Sequence, residues 1–273
     1  MKHISALVAL FTVAGLVSPA HAGTLPIITK CPPDAVLVGP TCVDTYEASV
    51  WQIPSTNTGL INKVKKGTVK PGDLTGGGAT EISPNAGGGC GSPRFPSTFP
   101  ANGQWTQRLY AASVPGVVPT ACVSWFQAAQ ACRLSGKRLL TNLEWQDAAA
   151  GTPDPGGSPG AGDCNTKSSA AVNTGSRTNC KSSWGAFDMV GNVGEWVADW
   201  GPLSTFTCPG WGSFSDDVMC FAGADTTSSI GPEALVRGGD FTFDSGTAAG
   251  VFAVDPDVPW DDGSVFEGFR CAR

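Results

Sequence analysis

Histidine is nearly absent from this 273-residue sequence: its two copies, His3 and His21, both lie within the first 22 positions. If that stretch is removed, no imidazole remains. That excludes Ser/His/Asp and Cys/His nucleophilic catalysis and zinc or non-haem iron sites built on imidazole. Charge is scarce too, at 15% of residues, and no basic run occurs. A formal charge of −6 without a basic patch argues against nucleic acid and anionic membrane surfaces as partners. Beyond the start, no apolar run is long enough to span a bilayer. There is no C-x-x-C, which argues against a redox pair or a thiolate metal site.

Cysteine, by contrast, is present in an even number, ten, with 36 glycines and 21 prolines. The first 22 residues carry Lys2, an apolar run and the small-x-small ending Ala20-His21-Ala22. This is the pattern of a secretory signal peptide cut after Ala22, so the expected location is secreted or periplasmic. Loss of Lys2 takes the formal charge from −6 to −7. All ten cysteines follow the cut, and in an exported chain they are expected in disulfides. Cys31–Cys42, Cys164–Cys180 and Cys208–Cys220 each bracket a short loop and suit local pairs. Cys122 and Cys132 lie across more than two helical turns, so each is expected to pair elsewhere.

Short strands are expected at Val36 to Val38 and Val43 to Val50, separated by the turn Gly39-Pro40. Ser124 with Gln127, and Thr141 with Glu144, are capping boxes. They predict one helix to about Leu134, stopped by Gly136, and a second ending near Gly151. Gly/Pro-rich loops are expected near 71–93 and 151–163. The whole reads as one α+β domain over 23–273, loop-rich, with two main helices and short antiparallel strands.

Three stretches then carry a resemblance: "VSWFQAAQACRLSGKRLLTNLEW", "WGAFDMVGNVGEWVADW" and "VRGGDF…GFRCAR". In order and spacing the chain resembles the formylglycine-generating enzyme (sulfatase-modifying factor) superfamily, which implies a C-type-lectin-like fold. In the family's oxidising members a cysteine pair between the glycine motif and the final "GFRC" binds copper. Here "GGDFTFDSGTAAGVFAVDP" holds no cysteine, so no copper is expected there. Gly194 stands where the resemblance places a tryptophan that walls the substrate cleft. A calcium site is implied instead, at Asp188, Gly191, Val193 and Glu195. Calcium takes hard oxygens in flexible geometry, and a glycine turn lets two carboxylates and two carbonyls converge.

The remaining candidates have plainer readings beside them. Trp184, Trp196 and Trp200 could line a sugar site, but the core is the expectation. Arg237 and Arg270 could hold a ligand carboxylate, but buried pairing with Asp or Glu is the expectation. Asp240, Asp244, Asp255, Asp257, Trp260 and Asp261 form an acidic stretch with an aromatic, a possible surface for a protein or carbohydrate ligand. The expected function is therefore an exported bacterial binding or structural module, stabilised by disulfides and calcium. The alternative is an oxidoreductase of the superfamily with a non-standard site.

Overall fold

The computed structural model describes residues 30–86, 89–101, 103–202, 210–219, 232–242, 248–255 and 264–273. The chain opens with β1 (Ala35–Val38) and β2 (Thr41–Asp44), turned by Gly39-Pro40 as expected, then β3 (Ala48–Gln52). It continues through α1 (Thr58–Lys65), α2 (Pro71–Gly76), β4 (Thr80–Ile82), β5 (Asn85–Ala86), β6 (Gly89–Cys90) and β7 (Tyr110–Ser113). Then come α3 (Trp125–Leu134), β8 (Arg138–Leu139) and α4 (Asn142–Ala149). The last elements are β9 (Gly194–Gly201), β10 (Glu233–Arg237), β11 (Val254–Asp255), β12 (Glu267–Phe269) and β13 (Cys271–Ala272). The class is α+β with short strands, as expected.

The expected strand from Val43 to Val50 is two strands in two sheets. One sheet runs β1-β2-β13-β8, another β4-β3-β7. Between β2 and β3 the backbone leaves the ladder: Thr45 N–H donates to Asp34 O, and Thr45 O accepts from Phe187 N–H. A third sheet, β11-β10-β9-β12, is antiparallel except that β12 runs parallel to β9. These sheets and helices share two large apolar clusters. One gathers Val50, Phe99, Ala128, Trp196 and Phe269; the other gathers Val43, Leu140, Trp145, Val197 and Ala272.

Both capping boxes form. Ser124 Oγ accepts from Gln127 N–H, and the Gln127 carboxamide oxygen accepts from Ser124 N–H; Thr141 and Glu144 repeat the exchange. α3 buries Gln127, Ala128, Ala131 and Cys132 on one face, and α4 buries Trp145, Ala148 and Ala149. Two further helices lie where no helix is expected. α1 is capped by Asn57 and buries only Leu60 and Val64, too few apolar positions to mark a stripe. α2 corrects the loop expected from residue 71. Pro71 supplies the first-turn φ, Asp73 caps back onto Lys70 N–H, and Leu74 is buried. β4 to β6 also fall within 71–93, whereas 151–163 is irregular as expected.

Four disulfides join the described cysteines: Cys31–Cys42, Cys90–Cys122, Cys132–Cys271 and Cys164–Cys180. Two of the expected local pairs form, and Cys122 and Cys132 do pair elsewhere. Cys208 and Cys220 lie outside the described residues. Among the described residues no helix is long and apolar enough to cross a membrane. The first 22 residues also fall outside the described part, as does the expected cut after Ala22.

Candidate functional site

The "DMVGNVGEW" stretch enters the core through a run of left-handed turns. Asp188, Gly191 and Asn192 have φ of 58°, 71° and 64°. Such values are costly for Asp and Asn unless the surroundings hold them. Here they are held. Gly191 N–H donates to Gly238 O, and a Cβ on Gly191 would sit 2.5 Å from Asn165 O. Asn192 is bonded on every side. Its Oδ1 accepts from Asn165 Nδ2 and Val172 N–H, while its Nδ2 donates to Glu47 Oε2 and Val172 O.

These turns deliver Asp188 and Glu195 into the interior, but to different partners. Glu195 is gripped by Arg270, whose Nε lies 2.8 and 2.7 Å from the two carboxylate oxygens and whose Nη2 lies 2.6 Å from Oε1. Trp145 Nε1 donates to Oε2 at 2.7 Å. Arg270 also donates to Asp44 O and Phe187 O, so it bridges three segments while fully buried. The expectation of a buried acidic partner for Arg270 is therefore met by Glu195.

Asp188 Oδ2 accepts from Gly175 N–H at 2.7 Å, but Oδ1 is buried without a hydrogen-bond partner. Glu47, which the sequence reading missed, lies in the same neighbourhood. It is fully buried and accepts from Asn192 Nδ2 at 2.6 Å and Val193 N–H at 3.2 Å. Burial, then the charges of Asp188 and Glu195, hold its carboxyl well above the ordinary range, against the pull of Arg270. Burial likewise pushes Asp188 up to about 6. Among the described residues Arg270 acts on all three carboxylates and, of the three, Arg177 reaches only Asp188, so acids outnumber cations there, which favours taking up a proton or a cation. The sequence signal for Glu47 was slight: one acid in an apolar run, "TYEASVW".

For calcium the fit is mixed. Asp188 Oδ1 is a hard oxygen with no donor, as a cation site requires. Both Glu195 oxygens are already taken by Arg270 and Trp145, so that carboxylate could only be shared. Among the described residues no three Asp, Glu, Cys or His side chains form a metal cage by themselves. The remaining donors would be the Gly191 and Val193 carbonyls.

The other predicted residues divide. Asp240 is buried and turned inward, its Oδ1 accepting from Thr242 N–H and Oγ1. Asp255 pairs with Val236 in the β10–β11 ladder. Asp244, Asp257, Trp260 and Asp261 lie outside the described residues. Trp196 is core, and Trp200 packs edge-on against Trp125. Trp184 is not core: it is 47% exposed, because its ring lies along the surface with Nε1 donating to Asp147 O. At Gly194 a Cβ would meet Val236 Cγ1 at 2.7 Å, so a valine occupies the space a larger residue would need. Arg237, too, departs from expectation, since its hydrogen-bond partners are carbonyls and amides rather than an acid.

The fold is similar to solved structures at low identity. The Major Tropism Determinant P3c variant is 18% identical, with a TM-score of 0.47 over 88% of this chain and 52% of that one. PvdO from Pseudomonas aeruginosa is 17% identical, with a TM-score of 0.40 over 85% of this chain and 80% of that one. CarF is 19% identical, with a TM-score of 0.37 over 57% of this chain and 67% of that one. The chain spans about half the length of the Major Tropism Determinant chains it matches. No curated protein matches it closely enough to count as a relative. Residues 95–273, well over half of the chain, match the sulfatase-modifying factor enzyme 1-like domain, and the chain belongs to that family.

Proposed function

We propose that this chain is an exported binding or structural module of its family, without formylglycine-generating chemistry. The observation that carries the reading is the fate of its sulfur. The segment where the family resemblance puts a copper-binding thiol pair has no cysteine, and all eight described cysteines are joined as disulfides. A thiolate is what copper(I) and thiol oxidation require. Val236 in the space beside Gly194 supports the same reading, because the expected cleft wall has no room.

Residues 1–22 act as the export signal, 23–273 form one domain, and the protein works outside the cytoplasm of a bacterium. Calcium, held by Asp188 Oδ1 and the Gly191 and Val193 carbonyls with Glu195 shared, balances the buried carboxylates. What supports it is the donorless Asp188 oxygen, buried beside the Glu47 and Glu195 carboxylates. The partner is a protein or carbohydrate rather than nucleic acid.

The deciding experiment incubates purified protein with copper(I) and a cysteine-containing peptide under oxygen. Neither tight copper binding nor oxygen consumption is expected. Either one would restore the oxidoreductase reading.

A further inference from the structure

Of the large apolar side chains exposed among the described residues, Leu143, Trp211 and Phe214 line one groove, at 70%, 41% and 68% exposure. Phe252 and Val254 complete its apolar wall, around a cavity of about 330 Å3. The wall is pinned. Trp211 Nε1 donates to Phe252 O, and the Phe214 and Phe252 rings meet edge-on at 4.8 Å.

At the buried end of this groove sits Arg237, 3% exposed. Its Nε donates to Ala253 O at 2.7 Å, Nη1 to Asn142 Oδ1 at 2.5 Å, and Nη2 to Gln146 Oε1 at 2.6 Å and Val251 O at 3.0 Å. Trp145 lies 4.5 Å from its guanidinium carbon. No carboxylate is within ion-pair distance among the described residues. Asp217, the acid that acts on it, stands farther off with Oδ2 taken by Phe252 N–H. Burial lowers this guanidinium to about 10, so it stays charged at neutral pH without a close counter-ion.

The amides beside it are oriented by necessity. Arginine has donors only, so the atoms of Asn142 and Gln146 that face it are oxygens, and their NH2 groups turn away. Asn142 and Gln146 also line the groove. Its polar end is therefore lined by the Arg237 guanidinium and two amides whose oxygens are spent on it, which leaves their NH2 groups as the side-chain donors. An apolar cleft ending in donors and a cation is complementary to an anion on an apolar body. The volume, at the low end for ligand pockets, suits a body of about one ring.

We propose that this groove binds a small aromatic or branched carboxylic acid, its carboxylate on Arg237, Asn142 and Gln146 and its apolar body between Trp211, Phe214 and Phe252. The proposal rests on the binding-module reading and adds a small-molecule ligand to the protein or carbohydrate partner given there. It is tested apart from that reading, since copper and oxygen play no part in it.

The test titrates the purified full chain, disulfides intact, with 3-phenylpropanoate and with its amide, read by calorimetry and by tryptophan fluorescence. Saturable binding of the acid is expected, with the amide weaker by about tenfold or more, the difference of a charge-assisted contact. Gln146→Glu puts an internal carboxylate against Arg237 and should weaken the acid by about tenfold or more while the protein stays folded. Phe214→Ala, at an exposed position, should weaken acid and amide alike. Equal binding of acid and amide, no saturable binding, or full affinity in both variants overturns the proposal. A tripeptide ending in Phe that binds when the free acid does not overturns the small-acid assignment.

Discussion

Arg270 and Glu195 form a buried ion pair across 75 positions of sequence, with guanidinium contacts of 2.6 to 2.8 Å. Removing one partner strands the other in the core, which costs about 3–5 kcal/mol. Glu195→Gln and Arg270→Met should each lower the unfolding free energy, extrapolated from urea titration, by that amount. Arg270→Lys should recover little, because a point ammonium cannot reach Glu195, Asp44 O and Phe187 O together. The double variant should cost less than the sum of the singles. Additive losses would show that the pair is not coupled.

Calcium at Asp188 predicts a chelator effect. At a concentration about 100 times its dissociation constant, a ligand that binds only the native state adds about 2.7 kcal/mol. For a chain of this size that is roughly 5 to 10 °C in melting temperature. Scanning calorimetry with and without chelator should show the difference, and Asp188→Ala should erase it. Identical melting curves for the native chain would remove calcium from the account.

The disulfides should contribute unequally. Cys132–Cys271 closes 139 residues and Cys164–Cys180 closes 16. On the loop-entropy account these are worth about 5 and about 3 kcal/mol. Paired Cys→Ala variants, unfolded in denaturant, should fall in that order. A reversed order would point to residual structure in the unfolded chain as the larger influence.

Glu81 gives a pH signature. It stands opposite Trp51 in the β3–β4 ladder, with Oε1 buried and unpartnered. Burial raises its carboxyl from 4.5 to about 7. The folded state then holds this proton more tightly than the unfolded one. Its contribution is present below about pH 4.5 and is lost as pH rises through 7. Glu81→Gln should therefore match the parent's melting temperature near pH 4 and exceed it at pH 8. A constant difference across that range would show that Glu81 titrates normally.

What could be read from the sequence was what short-range physics decides. Ser124/Gln127 and Thr141/Glu144 satisfy helix-end donors within three residues, so those helices were visible. Gly39-Pro40 and the brackets of Cys31–Cys42 and Cys164–Cys180 are local in the same way. α1 and α2 were hidden because each buries one or two side chains and draws its stability from the sheet beneath. The site was half visible. Asp188 and Glu195 stood out, but Glu47, 145 residues from Asn192, is brought in only by tertiary packing. Nor could the sequence reveal that Arg270 pairs closely with an acid while Arg237, among the described residues, has none within ion-pair distance.

The final strand carries a consequence for biosynthesis. β13 lies between β2 and β8, Cys271 bonds Cys132, and Arg273 reaches Asp34 near the start of the described chain. Two of the three larger sheets and α3 therefore wait for residues 267–273. A ribosome-bound chain lacking them leaves β2 paired only with β1, β8 without its neighbour, Cys132 reduced and Glu195 without its cation. This part of the chain therefore closes only once residues 267–273 are made, and a chain cut before them would keep an open strand edge and a free thiol that invite aggregation.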